Sequence, residues 1–494
     1  TPIVLSYVPR APRAGVPTQP AATAPTSYAL WAQQGAQRER APYIDLHAIV
    51  SRHYATMSPE AAQEKYFAPD NTHTNEAGAA RNAEAVVEGI RALKDVALAK
   101  HLLPSPAPPA TGANPARPAA NSRGSHRFDF APGKTPPTFS VPLPEGNYDV
   151  AITFGDEKRP TSNTVKVESR QLVIERIDTK PREFVTRTFT VNVRTPQLPG
   201  GERVRLKERK KSALRWDEQL SVELNGKSPG VKSIRITPRP DAITVFLAGD
   251  STVTDQANEP YAGWGQMLPR FFMAGVAVAN HAESGEALRA FRSKKRLEKI
   301  LSQIKSGDYL FIQFGHNDMK EKGEGFGAFT TFTQDLKDYV AKGRETGATV
   351  VLITPMHRRR FGDDGKIQNT HGDYPEAVRR VAKEQSVPLI DLQASSAKFY
   401  EAMGPEESKK AFVHYAADTF PGQDKPLKDD THFNNDGAYE LAKCVVEGIR
   451  AAKLPLAEQI AEDVKPFDSS KPDPVDTFDL PASPLRPTVT PAGS

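Results

Sequence analysis

The stretch ITVFLAGDSTVTDQ, residues 243–256, decides the fold. Its first seven residues are a nearly unbroken apolar run, the pattern of a strand buried on both faces. Gly249, Asp250 and Ser251 then mark a turn toward a helix. Four runs of the same kind follow: VAVAN (276–280), DYLFIQFG (308–315), ATVVLIT (348–354) and VPLIDL (387–392). Helical patterns alternate with them, for example TQDLKDYVAKGRE (333–345) and YPEAVRRVAKEQ (374–385). This alternation predicts a parallel sheet with helices on both faces. Such sheets carry their chemistry beyond the C-terminal ends of the strands.

Four positions at those ends are candidates. Ser251 follows the first strand; a turn or capping role is the ordinary reading of a serine there. Val253 two residues later means that this is not the G-x-S-x-G elbow. Gly285 follows the second strand, where glycine lets the backbone approach a ligand closely. Asn317, in FGHND, follows the third with an amide able to donate, and His316 and Asp318 are neighbouring polar alternatives. His432, in DDTHFNNDGA, is a candidate general base, and Asp429 or Asp430 could fix its tautomer. An earlier copy of this ending chooses between them. PDNTHTNEAGAARNAEAVVEGIRAL (69–93) aligns without a gap on KDDTHFNNDGAYELAKCVVEGIRAA (428–452). The first copy keeps an acid only as Asp70, with Asn71 next and His73 in the place of His432. Asp429 is therefore the expected orienter.

In this order the motifs resemble the SGNH (GDSL) hydrolase superfamily. FLAGDSTVTD, GWGQ, FGHND and DDTHFNNDGA are similar to its rhamnogalacturonan acetylesterases. The resemblance covers residues 241–456 and implies a flavodoxin-like three-layer α/β fold. It implies that Ser251, Asp429 and His432 are catalytic, and that an acetyl-enzyme forms on the serine. It implies an oxyanion hole built from the Ser251 and Gly285 backbone N–H groups and the Asn317 amide. No metal or organic cofactor is expected; His281, His357 and His371 show no metal-ligand spacing. The implied activity is removal of acetyl groups from pectic rhamnogalacturonan. Deacetylation of xylan or another short-chain ester is the near alternative, and a non-catalytic carbohydrate-binding protein the distant one. The implied partner is an acetylated plant cell-wall polysaccharide, and a polymer substrate implies a periplasmic or secreted enzyme. In PMHRRRF (355–361), His357, Arg358 and Arg359 are candidate contacts for an acidic sugar. The bland alternative is a surface loop paired with Asp363 and Asp364.

Composition organises the rest. A chain of 494 residues suggests two to four domains. A net charge of +5 gives no reason to expect nucleic acid, and no apolar run reaches the ~18 residues of a membrane helix. The single cysteine, Cys444, excludes an internal disulfide and a thiolate metal site. Residues 1–102 repeat only the end of the hydrolase pattern. They are expected to be the C-terminal fragment of a first SGNH domain in a tandem enzyme that begins before Thr1. Asp70 and His73 would be the catalytically silent equivalents. Residues 103–125 read as a Pro/Ala-rich linker. Residues 126–240 read as an all-β sandwich, resembling a galactose-binding-like module. Residues 241–460 are the complete SGNH domain, and residues 461–494 are expected to be a Pro-rich disordered tail. RVRLKERKKSALR (203–215) holds seven basic residues, which suits either a polyanion contact or a solvated strand edge.

Overall fold

The computed structural model describes residues 3–9, 28–39, 41–54, 57–67, 74–93, 124–207 and 214–483. The chain divides into two units, Thr1–Ala116 and Arg117–Ser494.

In the first unit, β1 (Val4–Leu5) pairs in parallel with β2 (Tyr43–Ile44). Helices Tyr28–Arg38, Leu46–Tyr54, Pro59–Tyr66 and Glu76–Ala92 accompany them. The sequence repeat is also a repeat of local structure. Asn75 caps its helix by accepting from Gly78 N, as Asn434 does from Gly437 N. A Cβ on Gly78 would lie 2.1 Å from Tyr66 O, and one on Gly437 2.0 Å from Ala411 O. Gly89 and Gly448 press equally closely on Ile44 and Ile390. The shared Asn and Gly positions thus serve one cap and two close backbone approaches. Asp70 and His73 lie outside the described residues, as does most of the expected linker.

The second unit begins with eight strands: β3 (His126–Asp129), β4 (Thr138–Pro142), β5 (Gly146–Phe154), β6 (Thr161–Val167), β7 (Gln171–Thr179), β8 (Val185–Val193), β9 (Gln219–Ser228) and β10 (Val231–Pro238). They form two four-stranded antiparallel sheets, ordered β3-β10-β5-β8 and β4-β9-β6-β7. Val150, Ile152, Val191 and Ile234 of one sheet share a core with Val165, Val167, Leu220 and Val222 of the other.

Five parallel strands follow: β11 (Ile243–Gly249), β12 (Val276–Asn280), β13 (Tyr309–Gln313), β14 (Thr349–Ile353) and β15 (Leu389–Ile390). Their order is β12-β11-β13-β14-β15. Alternate residues face opposite layers. Val245, Leu247, Phe311 and Val351 pack with helices Leu392–Glu407 and Asn435–Ala451. Phe246, Ala248, Leu310 and Val350 pack with Leu288–Ser293, Arg296–Leu301, Thr333–Glu345 and Tyr374–Glu384. Burial on both faces is why these strands read as apolar runs. The order reverses direction between β11 and β13, the point at which open α/β sheets leave a crevice. The hairpin β16 (Phe412–Tyr415) and β17 (Leu427–Phe433) closes the domain.

One expectation fails here. Residues 461–483 are held in place rather than loose. Phe467, Phe478 and Leu480 pack against the hydrolase core. Lys166 Nζ donates to Pro481 O at 2.7 Å, and Lys443 Nζ to Asp473 at 2.7 Å. Prolines limit the entropy of this segment, and three large apolar side chains anchor it. Residues 484–494 lie outside the described residues.

Candidate active site

The end of β11 is a tight turn. Asp250 Oδ1 accepts from Thr252 N (2.9 Å) and Thr252 Oγ1 (2.7 Å), and Asp250 O accepts from Thr254 N (3.1 Å). Gly249 is required at its start, because a Cβ would lie 2.6 Å from Val253 Cγ2. Gln313, at the end of β13, donates to Thr252 Oγ1 (2.9 Å) and accepts from Trp264 Nε1 (2.7 Å). Trp264 of GWGQ thereby braces the turn that presents Ser251.

His432 Nε2 lies 2.8 Å from Ser251 Oγ, and its Nδ1 lies 2.8 Å from Asp429 Oδ2. Asp429 Oδ1 also accepts from Thr431 N (2.8 Å) and His432 N (3.0 Å). Burial pushes the Asp429 carboxyl up, but the hydrogen bond and charge of His432 with the two backbone donors outweigh it. Its pKa is lowered and the carboxylate stays ionised. Asp430 turns the other way, to His414 Nε2 (2.8 Å) and Arg359 Nη1 (3.2 Å). Ser251 and His432 are both buried.

Gly285 has φ +78°, in the left-handed region that favours glycine. Asn317 Nδ2 donates to Glu286 O at 3.2 Å, which brings its amide beside the Gly285 loop. The two alternatives to Asn317 are otherwise engaged. His316 Nδ1 meets His371 Nε2 at 2.9 Å, and burial lowers the pKa of both rings, that of His371 to about 3. Asp318 Oδ1 accepts from Leu288 N and Oδ2 from Gly315 N, each at 2.9 Å, tying the glycine loop to the asparagine loop. Burial is the larger influence on Asp318 and raises its pKa to about 7.

The three basic candidates separate. Arg358 Nη2 donates to His316 O at 3.3 Å, and its charge acts on Asp250 and Asp429. Arg359 is paired with Asp430 at the rim. No contact of His357 with Ser251, His432 or Asp429 accompanies its place in this loop. Its ring is buried, with a backbone hydrogen bond to Gln368 and the charges of Arg379, Glu401 and Asp391 around it.

Sequence reasoning missed the charged side chains beneath the site. Arg215 Nη1 donates to Thr254 Oγ1 (2.7 Å) and Asp255 O (2.8 Å), while Nη2 lies 3.5 Å from Glu283. Arg194 Nη2 donates to Asn280 O at 2.8 Å and Arg170 Nη1 to Tyr261 O at 2.9 Å. Lys207 pairs with Glu286 at 2.9 Å and also donates to Ser284 O. The flanks of the basic run therefore reach the Gly285 loop; residues 208–213 lie outside the described residues. Their polarity was visible, but their partners are far away in sequence. Among the described residues no His/Cys/Asp/Glu group has the arrangement of a metal site.

A parallel α/β sheet with a Ser–His–Asp chain at its switch point defines an SGNH-type serine hydrolase. Residues 247–439 match the GDSL-like lipase/acylhydrolase family. Rhamnogalacturonan acetylesterase RhgT of Bacillus subtilis (strain 168) is 46% identical over 220 residues, 44% of this chain and 94% of that protein. The probable rhamnogalacturonan acetylesterase YesY of the same organism is 38% identical over 224 residues, 44% of this chain and 98% of that protein. The uncharacterized esterase YxiM, also from that organism, is 29% identical over 318 residues, 63% of this chain and 74% of that protein. The chain belongs to the GDSL-like lipase/acylhydrolase family and is a carboxylic ester hydrolase of the carbohydrate acetylesterase type.

Proposed function

We propose that the protein removes acetyl groups from acetylated rhamnogalacturonan, using Ser251, His432 and Asp429. The observation that carries the chemistry is the contact of His432 Nε2 with Ser251 Oγ at 2.8 Å, with Asp429 behind the ring. Ser251 Oγ attacks the acetyl carbonyl as Nε2 takes its proton. The Ser251 and Gly285 N–H groups and the Asn317 amide stabilise the oxyanion; one such donor is typically worth about 3 kcal/mol. The imidazolium returns the proton to the departing sugar oxygen. A water activated by His432 then attacks the acetyl-enzyme and releases acetate. Asp429, kept ionised, stabilises the imidazolium in this cycle.

The substrate assignment is supported by the 46% identity to RhgT across nearly all of that protein. Arg358, close enough to act on Asp250 and Asp429, suits a uronate carboxylate near the scissile ester. A polymer of this size is met outside the cytoplasm, so the protein works in the periplasm or beyond the cell. The test is acetate release by the full chain from acetylated rhamnogalacturonan and acetylated xylan, with Ser251→Ala as control. Release from the first above the control is expected. Release from xylan alone overturns the substrate; release from neither overturns the polysaccharide reading.

A further inference from the structure

A cavity of about 380 Å³ opens beside the Asp429–His432 turn, among the β16–β17 hairpin, the start of helix Asn435–Ala451 and the C-terminal segment. Its lining holds no triad residue but includes close neighbours of the triad in sequence and in contact. Asn434, in the lining, is two residues past His432, and Pro260 precedes Tyr261. The Tyr261 and His432 rings meet edge to face with centroids 6.0 Å apart. His414, also in the lining, is bonded to Asp430, the neighbour of Asp429.

The lining combines aromatic surface with oxygen acceptors. The Tyr415 and Phe420 rings stand edge to face at 5.0 Å, and Asn434 Nδ2 fixes the Tyr415 hydroxyl at 3.0 Å. Phe478 of the C-terminal segment lines the cavity as well, with its ring centroid 4.8 Å from that of Tyr439. The charges decide what can enter. The lining lysine, Lys410, already faces Glu407 at 2.6 Å, and the His414 ring is bonded to Asp430 at 2.8 Å. Of the lining acids, Glu259 is taken up by Arg170 (3.2 Å), Asn435 (3.1 Å) and Ser483 N (3.2 Å). Asp436 has Glu440, Lys443 and Asp473 around it, and burial first, then Glu440, raises its pKa to about 7. A uronate placed here would set its carboxylate against acids with no cation to spare among the described lining residues. A neutral sugar meets no such penalty: its apolar ring face suits the aromatic side chains and its hydroxyls suit a carboxyl.

We propose that this cavity is a glycosyl subsite that takes a neutral pyranose of the polysaccharide chain, adjacent to the acetylated residue held at Ser251. The proposal rests on the polysaccharide reading above. It also gives the ordered C-terminal segment a role, since Phe478 and Leu480 complete one wall.

The test compares wild type with Phe420→Ala and Asp436→Ala on acetylated rhamnogalacturonan, acetylated xylan and 4-nitrophenyl acetate. The expected result is a KM for polymer raised about tenfold, equivalent to ~1.4 kcal/mol. On the small ester, kcat/KM should stay within about twofold, because that substrate does not reach the subsite. An unchanged polymer KM in both variants, or equal losses on polymer and small ester, overturns the subsite and leaves the polysaccharide reading intact. Wild type that cleaves 4-nitrophenyl acetate but neither polymer overturns both. Neutrality is tested by competition. Methyl α-rhamnopyranoside should inhibit polymer cleavage by wild type and lose that effect in Phe420→Ala; if sodium galacturonate shows this dependence instead, the neutral assignment is wrong.

Discussion

Replacing Asp429 by Asn changes one atom and should disable the enzyme. Asp429 Oδ1 accepts from Thr431 N and His432 N, so the asparagine oxygen keeps that position. Its amide nitrogen then faces His432 Nδ1 where a carboxylate oxygen stood at 2.8 Å. An N–H donor there forces Nδ1 to accept, and the ring proton moves to Nε2. Nε2 lies 2.8 Å from Ser251 Oγ and would now donate to the group it must deprotonate. Loss of the correct tautomer in a Ser–His–Asp triad lowers kcat about 10⁴-fold, or ~5.4 kcal/mol at 1.36 kcal/mol per decade. The assay is steady-state hydrolysis of 4-nitrophenyl acetate, which isolates the chemistry from polymer binding. Asp430→Asn is the control, since its side chain is half-exposed and bonded to His414 and Arg359. That variant should stay within about threefold of wild type, as rim ion pairs contribute little. Retention of more than about a tenth of kcat by Asp429→Asn would refute the tautomer argument, and an equal loss in Asp430→Asn would refute the assignment of the orienter.

Two further outcomes follow from the buried charges. Arg215→Met leaves Asp255 and Glu283 short of a partner in a site without solvent, and should cost about 3–5 kcal/mol in urea unfolding. A change below about 1 kcal/mol would mean that Arg296 and Arg194 suffice. Asp318 has its pKa raised from 3.8 to about 7, so the folded state binds more protons across that window and its contribution to stability falls as pH rises through it. Asp318→Asn should therefore lose less stability than wild type between about pH 5 and about pH 8, whatever its constant penalty, and an identical slope would refute the shift.

The parallel sheet was legible because strands buried on both faces must be apolar throughout, as VAVAN and DYLFIQFG are. The candidate site was legible because its groups sit at the ends of those strands; a second copy of the last motif favoured Asp429 over Asp430, and Asp429 is the one set against His432. Other features depend on contacts between distant residues. His357 and Arg358 are adjacent in a basic loop, yet one ring turns inward to Gln368 and the other side chain reaches His316. Sequence cannot show which way each points. The tail misled for a related reason. Its prolines resemble a disordered segment, whereas Phe467, Phe478 and Leu480 were the informative residues, and their receiving surface lies on helix Asn435–Ala451 and its neighbours. The partners of Arg215, in the basic run 203–215, were not legible because Asp255 and Glu283 are 40 or more residues away.

The buried arginines bear on what the two-sheet β region contributes. The RhgT match spans 220 residues and 94% of that protein. The YxiM match runs to 318 residues and extends past a domain of that size. A tethered sugar-binding module would need only a linker to its enzyme. Here Arg170, Arg194 and Arg215 are buried, and they hold residues 254–261 and 280–283 by backbone and carboxylate contacts. These segments flank the Ser251 turn and lead into the Gly285 loop, where Lys207 adds a contact to Glu286. Desolvated guanidinium groups impose fixed geometry and are costly to leave unpaired. The β region is therefore tied by buried guanidinium contacts to the loops that carry the candidate nucleophile and the candidate oxyanion groups. Detaching it would strand Asp255 between Asn280 and solvent, and the loops would lose their shared anchor.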